Sequence, residues 1–249
     1  MLRTIQFLKK MYYWRKLKKL DLNKSFFILT GDIDSTALTN DALHILQSNL
    51  EIAKEHDAPY WIFITPTPTN KLKELVKKIR GYNERVIFGA HGFTHIPFNN
   101  LSYEEQLNQW ISTKKAFENA KIEINATRTP YLSLNRYTYQ SIADLKFKYD
   151  FSTSFGFQAS KKEIFLKPRK LKQTIFFPIT LPTDTYFRNK SQREMEEKWI
   201  QITDIILEKQ GIISVLAHPT HKEINKPLEK LLEHIKSKEV PIFNGSFQV

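Results

Sequence analysis

The sequence predicts an α/β protein, a single domain whose parallel sheet or barrel is built from alternating strands and helices. From residue 25 onward, apolar β-prone runs such as "SFFILTGDID" and "PYWIFIT" alternate with segments such as "NDALHILQSNLEIAKEH", whose apolar residues recur at three- and four-residue spacing. This alternation is typical of βαβ units. No internal repeat, low-complexity tract or linker divides the 249 residues. We therefore predict one domain, residues 25–249, behind a basic extension, residues 1–24.

The elements follow one another in a regular order. The predicted strands cover residues 25–34, 59–65, 85–90, 124–131, 148–155, 174–182 and 212–219, and each is rich in β-branched or aromatic residues. The predicted helices cover residues 40–56, 70–82, 102–120, 135–147, 192–210 and 227–238. Ser102 is placed to cap the third of these helices, and Gly211 to end the fifth.

The composition excludes several kinds of protein. The chain has no cysteine, so disulfides and thiolate metal sites are excluded, and a transition-metal site must use histidine and carboxylate ligands. The formal net charge of +12 fits either a solvated basic surface or an anionic partner: nucleic acid, an acidic membrane or a phosphate-bearing substrate. No zinc-finger, helix-turn-helix or RNA-recognition motif accompanies this charge, so we expect no nucleic-acid partner.

The positive charge is concentrated in residues 1–24, "MLRTIQFLKKMYYWRKLKKLDLNK", which hold eight Lys or Arg and one Asp. Lysines interrupt every apolar run, so we predict neither a signal peptide nor a membrane span. An apolar face beside the lysines is the pattern of an interfacial helix on anionic lipid; its residues are Leu2, Ile5, Leu8, Tyr12 and Trp14. A helix that packs on the rest of the fold, with its apolar side chains buried, has the same pattern. Both interpretations remain open: peripheral contact with anionic membrane, and packing on the barrel.

Polar side chains collect where the predicted strands end. In a parallel barrel the carboxyl ends of the strands meet on one face, and that face carries the functional site. We therefore expect these side chains to lie together: Asp32, Asp34, His91, His95, Arg128 and His218.

Two histidines and a carboxylate form a three-ligand site for a divalent ion such as zinc. His91 and His95 are four residues apart and can converge on one ion. Of the two neighbouring aspartates, Asp32 and Asp34, one can bind the ion while the other acts as a base. With a histidine across the pocket to protonate a leaving amine, this set suffices to hydrolyse an amide or ester. An arginine can hold the base carboxylate ionised.

The same segments resemble the polysaccharide deacetylase family, also known as carbohydrate esterase family 4 or the NodB-homology domain. The motifs "LTGDIDS", "HGFTH", "RTPY", "YDFST" and "VLAHP" occur in the family's order between residue 25 and about residue 240. The resemblance implies a distorted (β/α)7 barrel and one divalent ion, with Zn²⁺ the leading candidate. The roles it implies are metal binding by Asp34, His91 and His95, general base by Asp32, bracing of that base by Arg128, an oxyanion-binding backbone N–H at Tyr131, general acid by His218, and tuning of His218 by Asp150.

The sequence also departs from the common family pattern. Ile33 separates two aspartates that are usually adjacent, and Gly31 stands where an aromatic or aliphatic residue is usual. The segment "FFPITLPTDTYF" resembles the "PVTLPT" segment of enzymes that remove formyl from 4-formamido-arabinose carried on undecaprenyl phosphate. Asp184 within it is a candidate substrate contact or an ordinary loop aspartate. His221, three residues after His218, is a candidate for the pocket rim.

The expected function is a metal-dependent hydrolase that removes an acetyl or formyl group from an amino sugar during synthesis of bacterial envelope glycan or lipopolysaccharide. The absence of a visible secretion signal favours a cytoplasmic protein, free or peripheral at the inner face of the cytoplasmic membrane, acting on a lipid-linked or nucleotide-linked sugar. Two alternatives remain: a deacetylase acting on polysaccharide or peptidoglycan polymer, and a catalytically inactive barrel that binds glycan.

Overall fold

A nine-stranded sheet forms the centre of the molecule. The computed structural model describes residues 2–155 and 165–246, with side chains from residue 7 onward. The strands are β1 (Lys18–Lys19), β2 (Phe27–Ile33), β3 (Tyr60–Ile64), β4 (Ile87–Ala90), β5 (Ala126–Thr127), β6 (Tyr149–Ser154), β7 (Arg169–Leu171), β8 (Thr174–Ile179) and β9 (Ile213–Leu216).

Seven of these strands run parallel. Each neighbouring pair in the order β9, β2, β3, β4, β5, β6 and β8 is parallel. The predicted single-domain α/β fold is confirmed, and each predicted strand is present. Most have slightly shorter bounds, but the predicted strand 124–131 is reduced to the two residues of β5 and the predicted strand 212–219 to the four residues of β9. The sheet also contains two short strands that the sequence did not predict, since β7 pairs antiparallel with β8, and β1 with β7.

The ring closes between β8 and β9 through a short contact in place of a regular ladder. The N–H groups of Thr180 and Leu181, just after β8, both donate to the carbonyl of Ser214, at 3.1 and 3.0 Å. The Thr180 hydroxyl donates to Ile212 O at 2.8 Å and accepts from the Ser214 N–H at 2.8 Å. The Thr180 side chain therefore replaces part of the backbone pairing between β8 and β9, and the barrel is distorted at this point.

In the described part of the chain, seven α-helices surround the sheet. They are α1 (Leu2–Lys16), α2 (Asn40–Glu55), α3 (Leu72–Tyr82), α4 (Tyr103–Asn119), α5 (Arg136–Asp144), α6 (Gln192–Glu208) and α7 (Asn225–Ser237). Ser102 caps α4 as predicted, in a capping box with Glu105. None of the described helices combines the length and apolar character that a bilayer span requires.

Helix α1 packs on the barrel. Trp14 is fully buried and meets Phe155 edge to face, with ring centroids 5.6 Å apart, and Phe7 lies 6.2 Å from the same ring. Trp14 therefore buries its apolar surface in protein and Phe7 buries part of its own, as the packing interpretation expects. Leu8 and Tyr12 remain 51% and 55% exposed. Among the side chains described, from residue 7 onward, Leu8 and Tyr12 are the exposed apolar side chains of this helix, whereas Trp14 is not available to lipid.

Candidate active site

The site lies where the parallel strands end. Asp32 is the penultimate residue of β2, and Asp34 follows that strand directly. His91 follows β4, Arg128 follows β5, and His218 comes two residues after β9. The structure brings these residues together on one face, as expected. The buried Arg128 donates a hydrogen bond to Asp32, and the others line one cavity of about 330 Å³. Its walls are formed by Asp32, Asp34, His91, His95, Tyr131, Leu132, Thr183, Thr185, Arg188, Leu216, His218 and His221.

Three side chains present a donor set for a divalent ion. His95 Nε2 lies 3.2 Å from Asp34 Oδ1, and His91 Nε2 lies 3.7 Å from the same oxygen. One ligand atom from each of the three residues lies within 4.8 Å of the others. Two imidazole nitrogens and a carboxylate oxygen match the ligands that zinc takes in catalytic sites. The residues present therefore fit a divalent ion.

The surroundings keep the first histidine ready to bind a metal. His91 Nδ1 lies 3.0 Å from the Arg128 carbonyl oxygen, so it carries the proton there and presents Nε2 to the donor set. Burial lowers the pKa of His91, although the carboxylates of Asp32 and Asp34 oppose that effect. The neutral imidazole, which is the form that binds metal, is thus favoured.

A glycine with positive φ and a side chain of α4 hold the loop that carries both histidines. Gly92 has φ of +73°, a conformation that a residue with a Cβ rarely adopts. The Gln109 side-chain oxygen, from α4, accepts hydrogen bonds from the N–H groups of Phe93 and Thr94, both at 3.0 Å. Gln109 was not predicted from the sequence, and its place in the helical pattern of residues 102–120 gave no signal for this contact.

Asp32 and Arg128 form a buried pair beside the donor set. Arg128 Nη1 donates to Asp32 Oδ1 at 2.8 Å, Nη2 donates to Thr30 Oγ1 at 2.6 Å, and Nε donates to Phe151 O at 3.1 Å. The guanidinium also lies 4.5 Å from the centre of the Phe63 ring. Both side chains of the pair are 5% exposed or less. This fixed, hydrogen-bonded cation holds the Asp32 carboxylate in one orientation, as the proposed bracing role requires.

Asp184 is the carboxylate that contacts the candidate acid. His218 Nδ1 lies 2.8 Å from Asp184 Oδ1, and His221 Nδ1 lies 2.8 Å from Asp184 Oδ2. Burial lowers the pKa of His218, but the hydrogen bond and charge of Asp184 outweigh it and raise that pKa to about 9. Burial likewise opposes ionisation of Asp184, yet the two histidines hold its pKa well below the usual range. His218 is therefore a protonated imidazole at neutral pH, with Nε2 as the ring nitrogen available to a substrate.

This arrangement corrects the role expected for Asp150. That residue is the second of β6, well before the carboxyl end of the strand, and its side chain is buried in the barrel. Its carboxylate accepts hydrogen bonds from the hydroxyls of Thr127 at 2.9 Å and Ser152 at 2.6 Å. Burial raises the pKa of Asp150 to about 6. Asp184, expected to be a substrate contact or a loop residue, holds the position beside His218 instead.

The turn at Tyr131 is strained and forms one wall of the cavity. Tyr131 and Leu132 both have positive φ, at 59° and 50°, which is costly for residues with a Cβ. The Tyr131 ring is 66% exposed, and its centre lies 4.5 Å from that of His95. Strain of this kind occurs at sites where the backbone has a task, which suits a backbone N–H that must face a substrate.

The structure also shows cavity residues that sequence reasoning did not single out. Thr183, Thr185 and Arg188 follow β8 and line the wall near His221. They lie in or just after "FFPITLPTDTYF", so the resemblance of that segment to a known motif was the available signal.

Comparison with known proteins agrees with this geometry. A protein from Mycobacterium smegmatis described as a polysaccharide deacetylase has a TM-score of 0.69 at 14% identity, over 93% of this chain and 98% of that chain. A family 4 carbohydrate esterase from Streptomyces lividans has a TM-score of 0.58 at 11% identity, over 89% and 93%. A family 4 pseudoenzyme from Bacillus anthracis has a TM-score of 0.60 at 18% identity, over 90% and 65%.

At these identities the likeness shows the fold. No curated protein sequence matches the chain significantly. The model of the family described as polysaccharide deacetylase matches residues 12–149, more than half of the chain, a stretch that contains the donor set and the Asp32–Arg128 pair. The chain belongs to the polysaccharide deacetylase family.

Proposed function

We propose that this protein is a metal-dependent hydrolase that removes an acetyl or formyl group from the nitrogen of an amino sugar. The observation that carries the proposal is one cavity with three separate chemical parts. These parts are a metal-ligand set, a buried carboxylate braced by an arginine, and a histidine held protonated by a second carboxylate. A deacylase of the family to which the chain belongs needs all three.

The ligand set would hold the ion through Asp34, His91 and His95. A divalent ion in that position supplies Lewis acidity, which activates water and polarises an acyl oxygen. Asp34 is suited to its part because hydrogen bonding and charge from the histidines outweigh burial and hold its pKa below the usual range.

The protein's own residues then move the protons. Asp32 accepts a proton from the attacking water, and the Arg128 guanidinium at 2.8 Å keeps the carboxylate aimed at one position. The Tyr131 N–H, on the strained turn, donates to the oxygen that gains negative charge. His218 gives its proton to the departing amine, since Asp184 keeps that imidazole charged at neutral pH.

A substrate that carries phosphate, linked to lipid or to nucleotide, suits the cavity better than a neutral polymer. Arg188 lines the cavity and is exposed, and among the residues described its guanidinium has no hydrogen bond or ion pair. Arginine is the side chain best shaped to bind phosphate in a bidentate manner. The likeness of "FFPITLPTDTYF" to the deformylase segment supports the same choice and a formyl leaving group. Action at the cytoplasmic face of the membrane, with peripheral contact through residues 1–24, completes the proposal.

An inactive glycan-binding barrel is the second candidate, because one of the similar structures is described as a pseudoenzyme. The intact ligand set, base and acid on this chain argue against it. A deacetylase acting on polymer is the third, and differs only in substrate.

One assay separates the three. The metal-loaded protein is offered an N-formyl and an N-acetyl amino sugar on polyprenyl phosphate, UDP-N-acetylglucosamine, and chitopentaose, and the released formate or acetate is measured. Turnover of the phosphate-bearing sugars supports the proposal, and turnover of chitopentaose alone selects the polymer enzyme. Binding without release selects the inactive barrel. Asp32→Asn should lose rate by roughly 10²–10⁴ while keeping its metal, and Arg188→Gln should raise KM for the phosphate-bearing sugars only.

A further inference from the structure

We propose that Lys10 is a positioning residue, which reaches from α1 to hold the strained Tyr131–Leu132 turn in the geometry that catalysis needs. The inference rests on the proposed function, since it gives that turn its purpose. It assigns an active-site role to a residue of α1, a segment that contains none of the motifs on which the family resemblance rests.

The contacts of Lys10 join three parts of the fold. Its Nζ donates to the Leu132 carbonyl at 3.2 Å and to the Ser154 carbonyl at 3.3 Å. Leu132 lines the cavity, and Ser154 is the last residue of β6. One ammonium therefore ties the cavity wall to the end of a central strand.

The turn needs such a tie. Two consecutive residues with a Cβ, Tyr131 and Leu132, hold positive φ, and this strain must be held by the surroundings. Within the turn, the Leu132 N–H donates to Thr129 O and the Ser133 N–H to Pro130 O, both at 3.1 Å. Those bonds close the turn on itself. Its two ends are anchored, since the Thr129 N–H donates to Ser152 Oγ at 2.9 Å and the Ser133 hydroxyl donates to Asn99 Oδ1 at 2.6 Å, and Lys10 adds the bond to the Leu132 carbonyl between them. A hydrogen bond from Lys10 to the Leu132 carbonyl fixes the Leu132–Ser133 peptide. That peptide closes the two-residue stretch of positive φ, so holding it limits the rotations through which Tyr131 could relax and turn its N–H away.

Helix α1 is rigid enough to position this lysine. Its next turn buries Trp14 against Phe155, and the Leu17 carbonyl that follows accepts a hydrogen bond from Arg169 Nη1 at 3.2 Å. Burial lowers the pKa of Lys10 to about 8, in agreement with an ammonium largely removed from water. The neighbouring Lys9 is exposed on the same helix. It offers a control of equal charge that does not reach the turn.

The test compares Lys10→Met with Lys9→Met and Lys10→Arg in the full-length, metal-loaded protein. Misplacement of a reacting group by about 1 Å can cost roughly 10²-fold in rate. We expect Lys10→Met to lower kcat about 10- to 100-fold with little change in KM. Lys9→Met should stay at the level of the parent, and Lys10→Arg, which can still donate to both carbonyls, should recover most of the rate.

Hydrogen exchange provides a readout that needs no substrate. In Lys10→Met the amides of Leu132 and Ser133 should exchange at least about tenfold faster, while amides of β2 and β4 keep the parent rates. Unchanged exchange at the turn, equal rates in Lys10→Met and Lys9→Met, or a loss that only follows a lower melting temperature would overturn the inference. If the parent protein hydrolyses none of the probes, the proposed function fails, and exchange at the turn still decides the role of Lys10.

Discussion

Replacement of Asp184 by Asn should shift the alkaline limb of the pH–rate profile to lower pH, by two pH units or more. Against the effect of burial, the hydrogen bond and charge of Asp184, with smaller contributions from Asp32 and Asp34, raise the pKa of His218 from 6.5 to about 9, a difference of roughly 3 kcal/mol between the charged and neutral ring. Asn keeps the size of the side chain and one acceptor oxygen but removes the charge. Burial of His218, then opposed only by the smaller effects of Asp32 and Asp34, should bring its pKa down to about 6.5.

The loss of activity should therefore depend on pH. At pH 8 a ring with a pKa of about 9 is about 90% protonated, whereas one with a pKa of about 6.5 is about 3% protonated. Protonation alone then lowers kcat/KM about 30-fold at pH 8. Near pH 5.5 both rings are charged, and this part of the loss should vanish.

The assay is the pH dependence of kcat/KM from pH 5 to pH 10, since this quantity reports the ionisations of the free enzyme. Asp150→Asn is the matched control, because it removes a buried carboxylate that bonds to Thr127 and Ser152 and not to His218. An alkaline limb that stays in place in Asp184→Asn, or that moves equally in Asp150→Asn, would refute the assignment of His218 as the acid tuned by Asp184.

Three further predictions follow from the geometry. Changing both His91 and His95 to Ala should abolish stoichiometric zinc, as measured by elemental analysis after metal loading, and full retention would contradict the ligand set. Gly31→Ala should lower the free energy of unfolding by about 1–3 kcal/mol, because its Cβ would lie 2.4 Å from the Ala217 carbonyl oxygen; in urea unfolding, Gly81→Ala, whose Cβ meets nothing within 4 Å, serves as the control. Leu8→Glu should reduce co-sedimentation with phosphatidylglycerol vesicles, and equal binding by the parent and the variant would exclude the exposed face of α1 as a lipid contact.

The positions of three residues in the sequence predicted that the candidate metal ligands would lie together. His91, His95 and Asp34 each come directly after, or within a few residues of, a strand of the parallel sheet. The carboxyl ends of parallel strands lie together on one face of a barrel. The base and its arginine follow from the same rule, because Asp32 and Arg128 also end strands.

The acid side could not be found in this way. Asp184 lies on a turn after β8. Asp150 lies inside β6, within the predicted strand 148–155. Which carboxylate faces His218 depends on how far up its strand each one sits. The register of β6 against β5, which places Asp150 beside Thr127, is a tertiary property. The strands β1 and β7 were missed because two or three residues are too few to show alternation.

For residues 1–24, the sequence could not decide between contact with lipid and packing on the barrel. An apolar stripe on a basic helix has the same appearance whether it meets lipid or protein. The burial of Trp14 against Phe155 was decided by aromatic partners more than 140 residues away in the sequence. No local pattern reports such partners.

The contact that closes the barrel between β8 and β9 separates the candidate site into two parts, which are held by different elements of the fold. The candidate metal ligands and the candidate base lie on or shortly after β2 and β4, in the interior of a continuous parallel ladder. Asp184 and His218 instead lie on the two sides of this closure, Asp184 after β8 and His218 after β9, and their hydrogen bond spans it. A change in the β8–β9 loops can therefore alter the distance between acid and base without disturbing the metal ligands. For protein engineering, this makes the closure the place to adapt the enzyme to a new leaving group, and the ladder the part to leave untouched.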